Sequence, residues 1–237
     1  LGRLEPVHAF ASVDIDRLLY VERQKNLLLA NTEAFVKGLP ANNVLLTGAR
    51  GTGKSSLIRG CASRFFDQGL RLIEVGKEDL RDLFEIVEAL RGRSERFILY
   101  CDDLSFELGE SGYKALKAAL DGSVATGGSR ILVYATSNRR HLVKETMADR
   151  SGDDLHAADT RQELMSLAAR FGLTVTFQQP DKDRYERILL ELAKQYGIQM
   201  PSDQLYIKGA AFAIRAGGRS PRVAKQFVEL LAAGVKV

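Results

Sequence analysis

Between an apolar run at Asn43–Thr47 and a helical stretch that follows it, the chain reads Gly48-Ala49-Arg50-Gly51-Thr52-Gly53-Lys54-Ser55. Glycines at this density permit a tight loop whose backbone N–H groups turn inward onto an anion, while the next helix points its positive end at the same place. The pattern G-x-x-x-x-G-K-S/T is matched at every specified position, which chance alone gives in on the order of one chain in a hundred of this length. In such a loop Lys54 reaches the β- and γ-phosphates of a nucleotide, Ser55 ligates magnesium, and the stretch from Gly48 to Ser56 lines the phosphates. The expected ligands are ATP or ADP with Mg2+. A glycine-rich turn that binds nothing is the alternative, and the strand before and the helix after argue against it.

The loop sits in an alternating pattern. Further apolar runs of strand length occur at Leu70–Val75, Phe97–Cys101, Ile131–Thr136 and Leu173–Phe177, separated by helical stretches near Leu80–Leu90, Tyr113–Leu120 and Gln162–Ala169; another helix, Glu22–Phe35, precedes the first strand. Parallel strands need long crossovers and those are usually helices, so five strands spaced this way predict an α/β fold: a parallel sheet covered on both faces. Ligands then gather at the carboxyl ends of the strands. After Pro180 the pattern is helical only, at Arg184–Tyr196, Gln204–Ala216 and Val223–Ala233, broken at Gly197, Pro201 and Gly217-Gly218. The expected organisation is an α/β domain over 1–178 and a small helical lid over 179–237. The polar stretch Ala148–Thr160 reads as a surface loop.

Composition narrows the class. At 237 residues, with 45% hydrophobic and 27% charged residues, the chain is neither disordered nor fibrous. The formal charge of +4 would suit a polyanionic partner, but a mild excess more often keeps a surface solvated. Cys61 and Cys101 match no metal or redox spacing and read as small buried hydrophobes in a reducing cytoplasm. No apolar stretch approaches membrane-spanning length, and the first residues lack the layout of a secretion signal. The chain begins at Leu1 rather than methionine, as expected where something upstream has been removed.

Two further strand ends carry chemistry. Phe97-Ile-Leu-Tyr-Cys-Asp102-Asp103 delivers two carboxylates to the sheet's upper edge. Asp102 is expected to hold the metal through water, and Asp103 to polarise the attacking water as general base or orienting group, with Glu107 as a rival base. Two aspartates that merely open a turn or cap a helix are the alternative. Ile131–Thr136 continues into Ser137-Asn138, where the Asn138 carboxamide can meet both γ-phosphate and attacking water; a plain turn asparagine is the competing reading.

With these residues assembled, the chain resembles the AAA+ superfamily over nearly its whole length. The stretches VERQKNLLLANTEAFVKGLPANNVLL, GARGTGKSS, CDDLSFE, YATSNRRHL and ARFGLTVTF look like a bacterial AAA+ family known only as a domain of unknown function. The Asp102-Asp103 pair is similar to that of replication initiators and helicase loaders, which hydrolyse ATP without the usual glutamate. By the same resemblance Leu19, Tyr20 and Val21 fall where adenine is contacted. Arg170 falls at the finger that reaches a neighbouring subunit's γ-phosphate, with Arg150 as fallback, and Arg222, in preference to Arg219, is the lid's phosphate-sensing arginine. A guanidinium suits both roles because it stays charged and offers a planar fork of donors.

The resemblance implies an ATPase acting as a homo-oligomeric ring or arc on an unknown protein or nucleic-acid target. A slow-hydrolysing switch on DNA is the second implication; in it Arg139, Arg140 and His141 would contact DNA phosphates, although a positively charged loop near the γ-phosphate or the subunit boundary is the preferred reading of these three. A small-molecule kinase ranks last, because such enzymes usually lack a terminal three-helix lid bearing a sensor arginine.

Overall fold

The computed structural model describes residues 4–7, 13–104, 111–121, 130–138 and 166–235. Five strands, β1 (Val44–Gly48), β2 (Leu70–Glu74), β3 (Arg96–Cys101), β4 (Ile131–Ser137) and β5 (Leu173–Phe177), form one sheet in the order β2-β3-β4-β1-β5. Every pairing is parallel. The three central strands are buried almost throughout, as strands covered on both faces must be, whereas the edge strands β2 and β5 are only partly covered.

Strand alternation divides the core into two layers. Phe97, Leu99 and Cys101 face α3 (Leu83–Leu90) and α4 (Ser111–Asp121), packing with Leu83, Val87 and Leu116. Ile98 and Tyr100 face the opposite way, onto α1 (Glu22–Val36) and α2 (Lys54–Arg64), among Leu28, Phe35, Leu57 and Ile58. The result is a helix-sheet-helix sandwich with all strand carboxyl ends at one edge.

Most boundaries fall within one or two residues of expectation, and two of the differences have a structural cause. Leu80–Leu90 is not one helix but a 3-10 turn, Glu78–Asp82, followed by α3. Asn43 lies outside β1 because its side chain does a strand's work: Asn43 Oδ1 accepts from the Val133 N–H at 2.8 Å and its carbonyl accepts from Leu173 N–H at 3.2 Å, splicing β4 to β5.

Three helices follow β5: α5 (Lys182–Gln195), α6 (Ser202–Arg215) and α7 (Pro221–Ala232). Asp181 caps α5 through the Arg184 N–H, and Ser220 caps α7 through the Val223 N–H with Pro221 at the first helical position, where its missing N–H costs nothing. Their apolar faces meet in a core of their own, built on Tyr185, Leu189, Leu205, Phe227 and Val228; Leu19 and Tyr20, from the segment before α1, pack against it. No helix among the described residues is long and apolar enough to cross a membrane. Glu107, Arg139, Arg140, His141, Arg150, residues 162–165 and the stretch Ala148–Thr160 lie outside the described residues.

Candidate functional site

The loop after β1 has the backbone its glycines allow. Gly48, Gly51 and Gly53 have φ of 134°, 73° and 101°. At Gly48 the requirement is also steric: a Cβ there would stand 2.0 Å from the Phe177 carbonyl oxygen of β5. At Gly51 it would press on Ser220 Oγ and Arg222 Cβ, at 2.9 and 3.0 Å, because the loop docks against the start of α7. The Arg222 N–H, one of the donors a helix's first turn leaves free, is satisfied by the Gly51 carbonyl at 3.2 Å. Ala49, Arg50 and Thr52 complete the turn, with Thr52 Oγ1 donating to the Ala49 carbonyl at 2.8 Å.

Lys54 is 5% exposed. Its ammonium donates to the carbonyls of Gly48 and Ala49, both at 2.8 Å, and to Asn138 Oδ1 at 3.0 Å. Burial holds its pKa below the ordinary lysine value. Asp103 and Asp102 oppose that shift, and the positive charges of Arg222 and Arg50 add to it. Arg222 therefore stands within electrostatic reach of Lys54, and Arg219 within reach of Tyr185 in the core of the C-terminal helices.

The acidic pair sits where β3 runs out. The register Cys101↔Ala135 carries Asp102 level with Thr136 on β4, and Thr136 Oγ1 donates to Asp102 Oδ1 at 2.5 Å. Ser55 Oγ donates to the same oxygen at 3.0 Å, and the Asp103 N–H reaches it at 3.1 Å. Partial burial would raise the Asp102 pKa, but the hydrogen bonds of Thr136, Ser55 and the Asp103 N–H, with the Tyr100 hydroxyl nearby, outweigh it and hold the carboxyl below the ordinary range. Asp103 adopts the left-handed region, φ 49°, which a short polar side chain tolerates. That turn lets the Leu104 N–H return to the Thr136 carbonyl at 2.7 Å and aims the Asp103 carboxylate back over the loop. Both of its oxygens are engaged: Asn138 Nδ2 donates to Oδ1 at 2.5 Å and Arg50 Nη2 to Oδ2 at 3.0 Å.

Three adjacent strands, β3, β4 and β1, thus bring Asp102, Asp103, Asn138, Lys54 and Ser55 into one hydrogen-bonded cluster. Ser56 follows on α2 and is half-buried. Leu19 and Tyr20 lie against the core of the three C-terminal helices, while Val21 belongs to the core shared by the sheet, α1 and α2. Arg170 stands apart from this cluster. Its Nε pairs with Asp121 Oδ1, at the end of α4, at 2.6 Å, and its Nη1 donates to the Ser166 carbonyl at 2.7 Å and to the Ser166 hydroxyl.

The donors suit a magnesium nucleotide. A buried ammonium beside a glycine-rich loop matches phosphate oxygens, and a hydroxyl-carboxylate pair supplies hard oxygens for Mg2+. No cluster of three acidic or histidine ligands occurs among the described residues. Neither Thr136 as the residue that fixes Asp102 nor the Arg50 side chain as a partner of Asp103 leaves a local mark in the chain; both contacts arise only when distant strand ends are brought level.

The profile of the family described as "Protein of unknown function (DUF815)" matches residues 1–235. No curated protein matches the chain by sequence. Among solved structures the chain is similar to Thermotoga maritima RuvB, described as a Holliday junction branch migration motor, with 18% identity and a TM-score of 0.58 over 94% of this chain and 66% of that one. It is similar also to the FIGL-1 AAA domain in complex with ADP, with 17% identity and a TM-score of 0.57 over 98% and 75% of the two chains. A structure described as the structural basis for katanin self-assembly gives 18% and 0.58 over 95% and 72%. At such identities the likeness establishes the fold alone, the three-layer α/β fold of the AAA+ P-loop NTPases. The chain spans about two thirds of the RuvB chain's length.

Proposed function

We propose that this chain, which belongs to the DUF815 family and has the AAA+ fold, binds ATP with Mg2+, hydrolyses it, and as a homo-oligomer couples nucleotide state to the remodelling of a protein or nucleic-acid target. The observation that carries the reading is the convergence of Lys54, Asn138 and Asp103 with Ser55 and Asp102 at the ends of three neighbouring strands. A match of residue types in sequence does not require such a meeting; a phosphoryl-transfer site does. The fold's similarity to a domain bound to ADP supports the same ligand.

Each side chain has a role that follows from its position. Lys54 exchanges its loop carbonyls for the β- and γ-phosphate oxygens, and the loop amides hold the remaining phosphate charge. Ser55 and Asp102 hold Mg2+, whose chemistry is to neutralise charge that builds on the phosphates. Asn138 orients the attacking water, and Asp103 accepts its proton once Arg50 lets go. Arg222 reads the phosphates from the lid, to which the loop is tied through Gly51, so closure of α7 follows nucleotide occupancy. Leu19, Tyr20 and Val21 receive the adenine.

Arg170 completes a neighbour's site, which requires it to leave Asp121 on assembly. Asp121→Ala should then leave turnover intact or raise it at low protein concentration, while Arg170→Ala abolishes turnover and spares binding. Equal losses of thermal stability in both variants, with turnover unchanged in both, would instead make the pair a tie between α4 and the helical residues 166–170.

A second reading, a slow-hydrolysing ATP switch, is favoured by the double engagement of Asp103 by Arg50 and Asn138. Calorimetry with ATP and ADP in the presence of Mg2+, paired with phosphate release across protein concentration, tests both readings. Binding that Lys54→Ala removes, with specific activity rising with concentration, supports the ATPase. Tight ATP binding with negligible phosphate release supports the switch. Absence of binding by folded protein overturns both.

A further inference from the structure

One more polar atom, the Tyr100 hydroxyl, stands beside the acidic pair. Tyr100 precedes Asp102 by two residues, so strand alternation puts both on the sheet face covered by α2. Ser55 and Arg59 stand four residues apart on one face of that helix. The Arg59 guanidinium lies 5.9 Å from the centroid of the Tyr100 ring and is itself tethered to Glu74 of β2 at 3.2 Å. The ring is fixed by these neighbours with its hydroxyl facing Ser55 and the Asp102 carboxylate.

Yet the hydroxyl, though near both, meets hydrogen-bond geometry with neither. Tyr100 is 0% exposed, and its hydroxyl is the one buried side-chain polar atom among the described residues that lacks a hydrogen-bond partner. Its register partner Tyr134 is the opposite case, also buried but joined to Thr32 Oγ1 at 2.9 Å and to Asn31 Nδ2 at 3.0 Å. A buried hydroxyl without a partner is a standing cost that phenylalanine would avoid, so its presence asks for a partner that comes and goes. Asp102 Oδ1 already accepts from Ser55, Thr136 and the Asp103 N–H. A further donor to that oxygen has room once Ser55 Oγ turns to a cation.

We propose that Tyr100 is a positioning residue for the metal site: its hydroxyl donates to the Asp102 carboxylate when magnesium engages Ser55 and Asp102, and thereby strengthens metal binding beneath the nucleotide. This rests on the reading of the loop as a magnesium-nucleotide site. The hydrogen bond orients a carboxylate that holds the metal, and partners of this kind typically change metal affinity about ten-fold or more when removed.

The test is Tyr100→Phe with Tyr134→Phe as comparison, each titrated with ADP by calorimetry in excess Mg2+ and again in excess EDTA, alongside thermal unfolding. For Tyr100→Phe the expected result is unchanged affinity in EDTA, roughly ten-fold loss of the magnesium-dependent gain, and an unfolding temperature equal to or above that of the parent. For Tyr134→Phe the expected result is a lowered unfolding temperature with the magnesium gain intact. An undiminished magnesium gain in Tyr100→Phe overturns the proposal, as does an equal loss with and without the metal. If the parent protein binds ADP in neither condition, the reading of the site itself fails, and the inference with it.

Discussion

Arg50→Ala isolates what restrains Asp103. The ion pair is a single contact at 3.0 Å between side chains 77% and 45% exposed, so solvent screens most of its Coulomb energy and its worth to folding is about 0 to 1 kcal/mol. The unfolding temperature should hardly move. The effect on Asp103 is different in kind, because Arg50 holds the oxygen that Asn138 does not. If freeing that oxygen is a required step before water is polarised, removing up to about 1 kcal/mol from it raises turnover by up to about five-fold, at 1.36 kcal/mol per ten-fold. The measurement is steady-state phosphate release at saturating ATP and Mg2+, with the oligomeric state held equal by light scattering. A two- to five-fold rise in kcat with KM little changed is expected. A fall of ten-fold or more would refute the reasoning, since Arg50 would then be a phosphate ligand rather than a restraint, and an unchanged rate would place the release of Asp103 outside the slow step.

Three other outcomes follow from the geometry. Gly48→Ala drives a Cβ to 2.0 Å from the Phe177 carbonyl at a φ of 134° and should cost on the order of 3 kcal/mol or more, whereas Gly53→Ala, with nothing within 4 Å of the new atom, pays only for its φ of 101°, about 1–2 kcal/mol; comparable urea midpoints for the two would contradict this. Cys61 and Cys101 are buried thiols pushed by desolvation up to about 12, so neither should react with a thiol reagent in the native protein at neutral pH and both should react on unfolding; fast labelling of either in folded protein would count against the core assignment. Lys54 has a folded pKa below 10.5, so the protonated amine is a cost to the fold at neutral pH, and stability gains as pH rises between the folded value and 10.5. A bound triphosphate reverses that preference, so ADP and ATP affinity should fall through the same window with proton uptake on binding, seen as a calorimetric heat that depends on the buffer's ionisation enthalpy; affinity constant up to the ordinary lysine value would refute it.

What could be read from the chain, and what could not, divides along the range of the interactions involved. The phosphate loop is contiguous, its glycines demand their own backbone angles, and β1, β3 and β4 announce themselves because strands buried on both faces are apolar at nearly every position. Sheet order is another matter, since nothing local tells β1 to lie between β4 and β5. The partners of the site residues depend on that order. Asp121 meets Arg170 across 49 residues and Arg50 meets Asp103 across 53, and a surface arginine in a sequence has many carboxylates within eventual reach. Tyr100 reads in sequence as one more apolar strand residue, and only its height on β3, beside Ser55, gives its hydroxyl a meaning. Parallel register sets that height. Pairing Cys101 with Ala135 and Thr47 with Ser137 brings Asp102, Asn138 and the loop to one level. A slip of one residue in β3 would turn Asp102 and Tyr100 together onto the α3 and α4 face, away from Ser55. The apolar alternation of Phe97, Leu99 and Cys101 against Ile98 and Tyr100 opposes that slip with the energy of both core layers, so the packing that builds the sheet is also what aims the acid at the loop.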